Sequence, residues 1–335
     1  MTTNLRSESG FSLAEMLIAT GLLLVVSSIV TSALMQMTKH QQTISNRTEM
    51  HSGVRGATEL LQQEVGQAGR VTVPAPVTLT AAVAAAANCD PGTPTLNAVP
   101  VSVTSTTGMF ASAGPPAAYE TLTVLDGDTQ EDIKVASVTN GTTFQACFTK
   151  PHLAGAVLAP LGGFATGIVP PTGIVNGSDA NHLKLFGDIN GDGNMVYVEY
   201  FCDNADVGSH NLYRNVMPYN TAPAAKPALS DAMILLSNIH VNPPDAGGVA
   251  RPCFQYQTAL LHVQGTDFTF VLDVAVTLTV WTQLPDPVTH QFQTETKALL
   301  NISPRNVFSA WELASMGYTD RIQSTPATVT ALLTP

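Results

Sequence analysis

Residues Gly10 to Met37, GFSLAEMLIATGLLLVVSSIVTSALMQM, limit what this chain can fold into more than any other stretch. From Met16 to Met37 there is no charge, no Pro and no Asn. A helix that is apolar all round has to be buried in lipid or in protein. At about 1.5 Å per residue, the roughly 27 residues from Phe11 to Met37 make about 40 Å of helix, enough to cross a bilayer.

One acid interrupts the plain anchor pattern. Glu15 stands near the start of the run, behind a short polar leader that ends in Gly10. A charge at the centre of the hydrocarbon costs about 2.5–3.5 kcal/mol, so a carboxylate placed there calls for a partner. A secretory signal would have an apolar core of only about 7–15 residues, and Thr31-Ser32-Ala33 would serve as its cleavage site. The run is too long for that, and Glu15 would be out of place. The leader orients the chain weakly, since Arg6 is offset by Glu8.

Gly10-Phe11-Ser12-Leu13-Ala14-Glu15 resembles the processing site of the type IV pilin and pseudopilin family. The resemblance implies that a prepilin peptidase cuts after Gly10 and that Phe11 becomes a methylated N-terminus. It also implies that Glu15 meets the N-terminal amine of a neighbouring subunit during assembly. Many major pilins carry a Pro midway along this segment; here the Ser27-Ser28 and Thr31-Ser32 region takes its place.

Beyond Met37 the helical pattern continues with a different face. Met50, Val54, Ala57, Leu61, Val65 and Ala68 recur at spacings of three and four, which makes one apolar stripe. Gly69 is a stop signal. The expected organisation is a leader over 1–10, an apolar membrane and assembly helix over 11–37, its amphipathic continuation over 38–69, and a β-rich extracytoplasmic domain over 70–335. The fold class is therefore α+β, a long N-terminal helix packed on an antiparallel sheet domain. The stretch ATELLQQEVGQAGR, from Ala57 to Arg70, and the fragment Pro304-Arg305-Asn306 resemble PilW-like minor pilins and J-type pseudopilins.

Charge and cysteine content narrow the compartment. Lys and Arg total 14 against 25 acids, for a formal charge of -11, and no basic block forms a nucleic-acid footprint. The four cysteines, Cys89, Cys147, Cys202 and Cys253, all lie beyond the apolar run. An even number on an exported domain implies two disulfides, with three connectivities open. Sequence-neighbour pairing, Cys89 with Cys147 and Cys202 with Cys253, is the expectation. No CxxC is present to suggest zinc or dithiol redox chemistry.

Alternation predicts a meander of strands over 120–125, 133–138 and 143–149, the last two joined by the Asn140-Gly141 turn. The Ala-rich run at 83–87 suggests a short helix, Val101 to Thr104 a strand, and the Pro- and Gly-rich stretch 151–178 a long loose loop. Residues 183–186, 195–201 and 211–216 read as further strands, and 233–241 as another apolar element. Phe268 to Val280 alternates throughout, with 288–302 as its antiparallel partner. A helix over 307–316 ends at Gly317, and 325–335 reads as loose.

Asp188 to Glu199, DINGDGNMVYVE, satisfies the spacing of a calcium loop. Asp188, Asn190 and Asp192 would supply side-chain oxygens, Asn194 a carbonyl, and Glu199 would close the site. The competing expectation is a plain hairpin turn, because the residues after Gly193 alternate as a strand does. The chain has no HExxH, GxSxG, Walker or GxGxxG pattern, and its acids show no pairing for acid–base catalysis. His240, Tyr197, Tyr200 and Trp281 fit strand packing rather than a ligand cage.

What the resemblance implies is a non-enzymatic minor pilin at or near the tip of a pilus. Its partners would be other pilin subunits, the prepilin peptidase, the inner-membrane assembly platform and, before assembly, lipid. It would begin in the bacterial inner membrane, single-pass, and end in the pilus at the cell surface. A J-type pseudopilin of type II secretion and a membrane-anchored adhesin or receptor module remain the alternatives.

Overall fold

The computed structural model of the 335-residue chain describes residues 12–74, 76–90, 92–112, 118–205, 207–263 and 265–334. The apolar pattern becomes one uninterrupted helix, α1, over Leu13–Gln67. The first contact unit holds α1 up to Ser52 together with Trp281–Thr294; the second holds the remainder. Every residue from Ser12 to Gln42 is exposed. The stripe residues Met50, Val54, Ala57, Leu61, Val65 and Ala68 are all buried. Apolar character on all faces thus gives way, within one helix, to a single buried face.

Beyond α1 the second unit is built mainly of antiparallel strands, with one short parallel pair between Gly163–Phe164 and Ile322–Gln323, which makes the chain α+β. Its helical part lies on a four-stranded sheet with neighbours in the order His182–Gly187, Val196–Asp203, Asn211–Pro218 and Ile234–Ser237. Tyr197 and Tyr200 from this sheet are fully buried. Another sheet centres on the 16-residue strand Thr266–Trp281, which pairs with Phe254–Val263 and with Thr294–Ile302. Phe254–Val263 gives little periodic signal: one bulge breaks its register at Gln257/Thr258, and most of its side chains are exposed or half-buried.

Three sequence expectations fail here for identifiable reasons. The 133–138 strand is divided between two sheets. Glu131–Lys134 pairs with Thr121–Leu125, whereas Ser137–Asn140 turns at Gly141 to pair with Thr143–Ala146. Val135 and Ala136 between them are buried, so the crossing runs through the core that both sheets share. The Ala-rich run is no helix, because Val83 exchanges backbone hydrogen bonds with His152. The 151–178 stretch is no loose loop. Val157–Pro160 is the strand between Val77–Thr78 and Thr121–Leu125, and Phe164, Ala165, Ile168 and Val169 are wholly buried.

The C-terminal end departs from expectation in the same way. Residues 327–332 form a short helix, α3, following α2 at Arg305–Ser315. Val329 and Leu332 join Phe164, Phe186 and Tyr197 in one cluster, so this end is held by burial that no local pattern announces.

The end of α1 is a tight junction in the second unit. Gly69 takes a left-handed φ of +81°, the usual place for Gly after a helix. Its N–H donates to the Phe186 carbonyl, and its own carbonyl accepts from Phe164. A Cβ on Gly167 would lie 2.2 Å from Gly69 Cα, so these two backbones meet only because neither has a side chain. The Asn306 amide closes the junction by donating to the Gln67 carbonyl at 3.0 Å. The fragment singled out by resemblance therefore caps α1, satisfying a carbonyl that the helix leaves open.

Candidate functional site on the N-terminal helix

Gly10 and Phe11 lie outside the described residues. The first described turn shows how Glu15 is held. Ser12 N–H donates to Glu15 Oε2 at 2.9 Å, and Glu15 N–H donates to Ser12 Oγ at 3.2 Å. This is a capping box: each side chain satisfies the other's backbone donor at the start of the helix. A carboxylate here also faces the positive end of the helix dipole. Glu15 thus already has two local roles, and it remains exposed.

Along the following turns Leu17, Leu22, Leu23, Leu24, Ile29 and Met35 are each more than half exposed. The helix is long and apolar enough to cross a membrane. A bare apolar surface of this extent in water is what isolated soluble proteins avoid.

In the second unit the calcium-loop residues occupy a tight hairpin. Asp188 is buried; its Oδ1 accepts the Asp192 N–H at 3.1 Å and its Oδ2 the Gly193 N–H at 3.3 Å. Arg70 Nε lies 3.7 Å from Oδ2. Asp192 Oδ1 in turn accepts the Asn194 N–H at 2.9 Å. Glu199 is elsewhere. It sits in the Val196–Asp203 strand opposite Lys184, three residues or about 10 Å along from Val196. Its carboxylate is 2.7 Å from Lys226 Nζ and 3.6 Å from Lys184 Nζ. Burial pushes the Lys184 ammonium below its ordinary pKa, against the pull of Glu199. Asp188, Asn190, Asp192 and Asn194 share the turn; Glu199 is not brought to them. Among the described residues no cluster of three or more His, Cys, Asp or Glu is arranged to hold a metal ion.

The sulfurs pair as Cys89–Cys147 and Cys202–Cys253, the neighbour pairing. Cys202–Cys253 ties the sheet under α1 to the start of the Phe254–Val263 strand. Two contacts escaped sequence reading altogether. Glu64, buried on α1, takes Arg214 and Tyr200 from two neighbouring strands. His152, also buried, lies with Nδ1 3.1 Å from Asp126 and Nε2 2.8 Å from Glu131. Glu64 interrupts no apolar position of the stripe, and His152 sits in a Pro- and Gly-rich stretch, so neither carried a signal.

This arrangement defines a class: an α+β chain whose N-terminal helix is exposed and apolar in its first half and packed on a disulfide-tied antiparallel domain in its second. No family model, curated protein or solved structure matches the chain.

Proposed function

We propose that this chain is a minor type IV pilin: a subunit held in the inner membrane by α1, processed between Gly10 and Phe11, and then assembled at or near the tip of a pilus. The observation that carries the reading is the two-part character of α1, fully exposed from Ser12 to Gln42 and striped with buried residues from Met50 onward. Transfer of the first half from lipid into a bundle of neighbouring helices would keep its apolar surface out of water throughout. Glu15 supplies the one acid in that half, which would select an axial position beside a neighbour's amine. Moving it there exchanges the Ser12 N–H for a stronger, charged partner.

The test is N-terminal mass analysis of protein recovered from cells with the prepilin peptidase. A mature chain beginning with methylated Phe11 supports the reading. An uncut chain would mark a permanent membrane anchor, and a start near Met35 a secreted module; either outcome overturns it.

A further inference from the structure

Strands Thr266–Trp281 and Thr294–Ile302 are joined by a loop that belongs to the same compact unit as the first half of α1. Its contacts with the helix come in a definite order. Arg47 Nε donates to Gln293, Asn46 Nδ2 to the Leu284 carbonyl at 3.5 Å, and Thr43 Oγ1 to Asp286 Oδ2 at 2.9 Å. The arms of the loop therefore meet the helix farther along, and its turn is fixed nearest the apolar run. Asp286 closes the turn by accepting the N–H groups of Val288 at 2.8 Å and Thr289 at 2.9 Å.

Height decides what that turn faces. Thr43 is six residues beyond Met37, which is about 9 Å of helix. The headgroup layer on each side of the hydrocarbon is about 5–8 Å deep. With the apolar run in the bilayer, the Thr43–Asp286 contact stands at the outer edge of the headgroup layer. Its surface suits that place: Leu284, Val288 and Phe292 are 49%, 58% and 48% exposed. Phe292 stacks on Trp281 with ring centroids 5.8 Å apart, and aromatic rings are favoured at this depth. The one acid between Thr282 and Gln293 is Asp286, and its carboxylate is occupied by the turn, Gln293 and Thr43. Lys39, exposed on the helix between Met37 and Thr43, can extend its ammonium to lipid phosphate.

We propose that this loop is a second membrane contact, with the apolar surface of Leu284, Val288 and Phe292 resting against the headgroup layer of the bilayer that α1 crosses. The loop would then fix the rotation and depth of the helix before assembly, which a single featureless rod cannot do. The inference rests on the membrane stage of the proposed function and on the continuity of the loop with the spanning segment.

Spin labels test it in the full chain. All four native cysteines are in disulfides, so Val288→Cys and Leu24→Cys each offer one thiol for a nitroxide. In nanodiscs containing anionic lipid, the Leu24 label should read hydrocarbon depth. The Val288 label should collide with oxygen more, and with a water-soluble nickel chelate severalfold less, than a nitroxide free in buffer. A buried Leu24 label with a fully aqueous Val288 label overturns the loop contact alone. An aqueous Leu24 label overturns the spanning helix and the loop contact together. A Val288 label that is aqueous in nanodiscs but immobilised in assembled fibres assigns the loop to a neighbouring subunit, which also overturns the lipid contact.

Discussion

The guanidinium of Arg214 closes on the carboxylate of Glu64, the last acid of α1, with Nε 3.0 Å from Oε1 and 3.2 Å from Oε2. The Tyr200 hydroxyl donates to the remaining side of the same carboxylate. Burial alone would lower the Arg214 pKa; the Glu64 contact outweighs it and holds the guanidinium above its ordinary value. One side chain of the helix is thereby bonded to two neighbouring strands of the sheet beneath it.

Removing one member of this group leaves an uncompensated charge in a buried place. Glu64→Ala should destabilise the chain by about 3–5 kcal/mol, read as a lower urea midpoint with an unchanged slope. Replacing Glu64 and Arg214 together by Leu should cost less than either single change, because no charge is then stranded. A double-mutant cycle without coupling would show that the pair does not hold the helix.

Glu120 should make stability depend on pH in an unusual direction. It is fully buried; Oε2 accepts the Phe110 N–H at 3.1 Å, and Oε1 has no partner among the described residues. Burial, partly offset by that N–H, pushes its pKa up to about 8. Because the folded value lies above the unfolded one, this stability is complete below about pH 4.5. It should fall by about 1.4 kcal/mol per unit up to pH 8 and then level off. Glu120→Gln should abolish that slope, so that the difference between variant and parent in thermal scans grows steadily from pH 5 to pH 8.

The backbone contact of Gly69 and Gly167 should tolerate no side chain. Gly167→Ala forces the Gly69 backbone to move and should cost about 1–3 kcal/mol by overpacking. Gly56→Ala is the control: nothing stands within 4 Å of the added methyl, and the helix should gain up to about 1 kcal/mol. Chemical denaturation of both variants checks the contrast.

At the 188–199 hairpin, Asp188→Ala strips the acceptors from the Asp192 and Gly193 N–H groups. A loss of about 1–3 kcal/mol is expected. It should be the same in calcium and in chelator, since Glu199 is engaged with Lys226 rather than with the turn. A loss seen only in calcium would instead assign the turn to the cation.

Asp286 works in the opposite sense to Glu120. Hydrogen bonds from the Thr289 and Val288 N–H groups hold its pKa down to about 2. With the folded value below the unfolded one of about 3.8, the turn is fully supported above that pH and loses the support as pH falls through 2. Protection of the Val288 and Thr289 amides, taken relative to intrinsic exchange at each pH, should therefore be lost in Asp286→Ala at neutral pH and in the parent only in acid.

Local chemistry made much of this architecture legible. An apolar run determines a helix by excluding water, a spacing of three and four determines which later residues are buried, and Gly69 ends the helix because it alone accepts the required φ. The strand expected over 195–201, the alternation over 268–280 and the Asn140-Gly141 turn likewise reached the right elements. Ser12 and Glu15 were legible as neighbours in a motif, although their reciprocal capping became visible only in the helix.

What the sequence could not announce depends on distant partners. Residues 157–160 are a strand because two other strands leave an empty place between them, and 327–332 is ordered because Val329 and Leu332 enter a core assembled from elsewhere. Glu199 departs from its apparent ligand set because a strand rises more than 3 Å per residue and carries it to Lys184 and Lys226. Glu64 acquires its role only when Tyr200 and Arg214 arrive beneath it. Periodicity records which face of an element is apolar; only the assembled chain determines which charges and edges meet there.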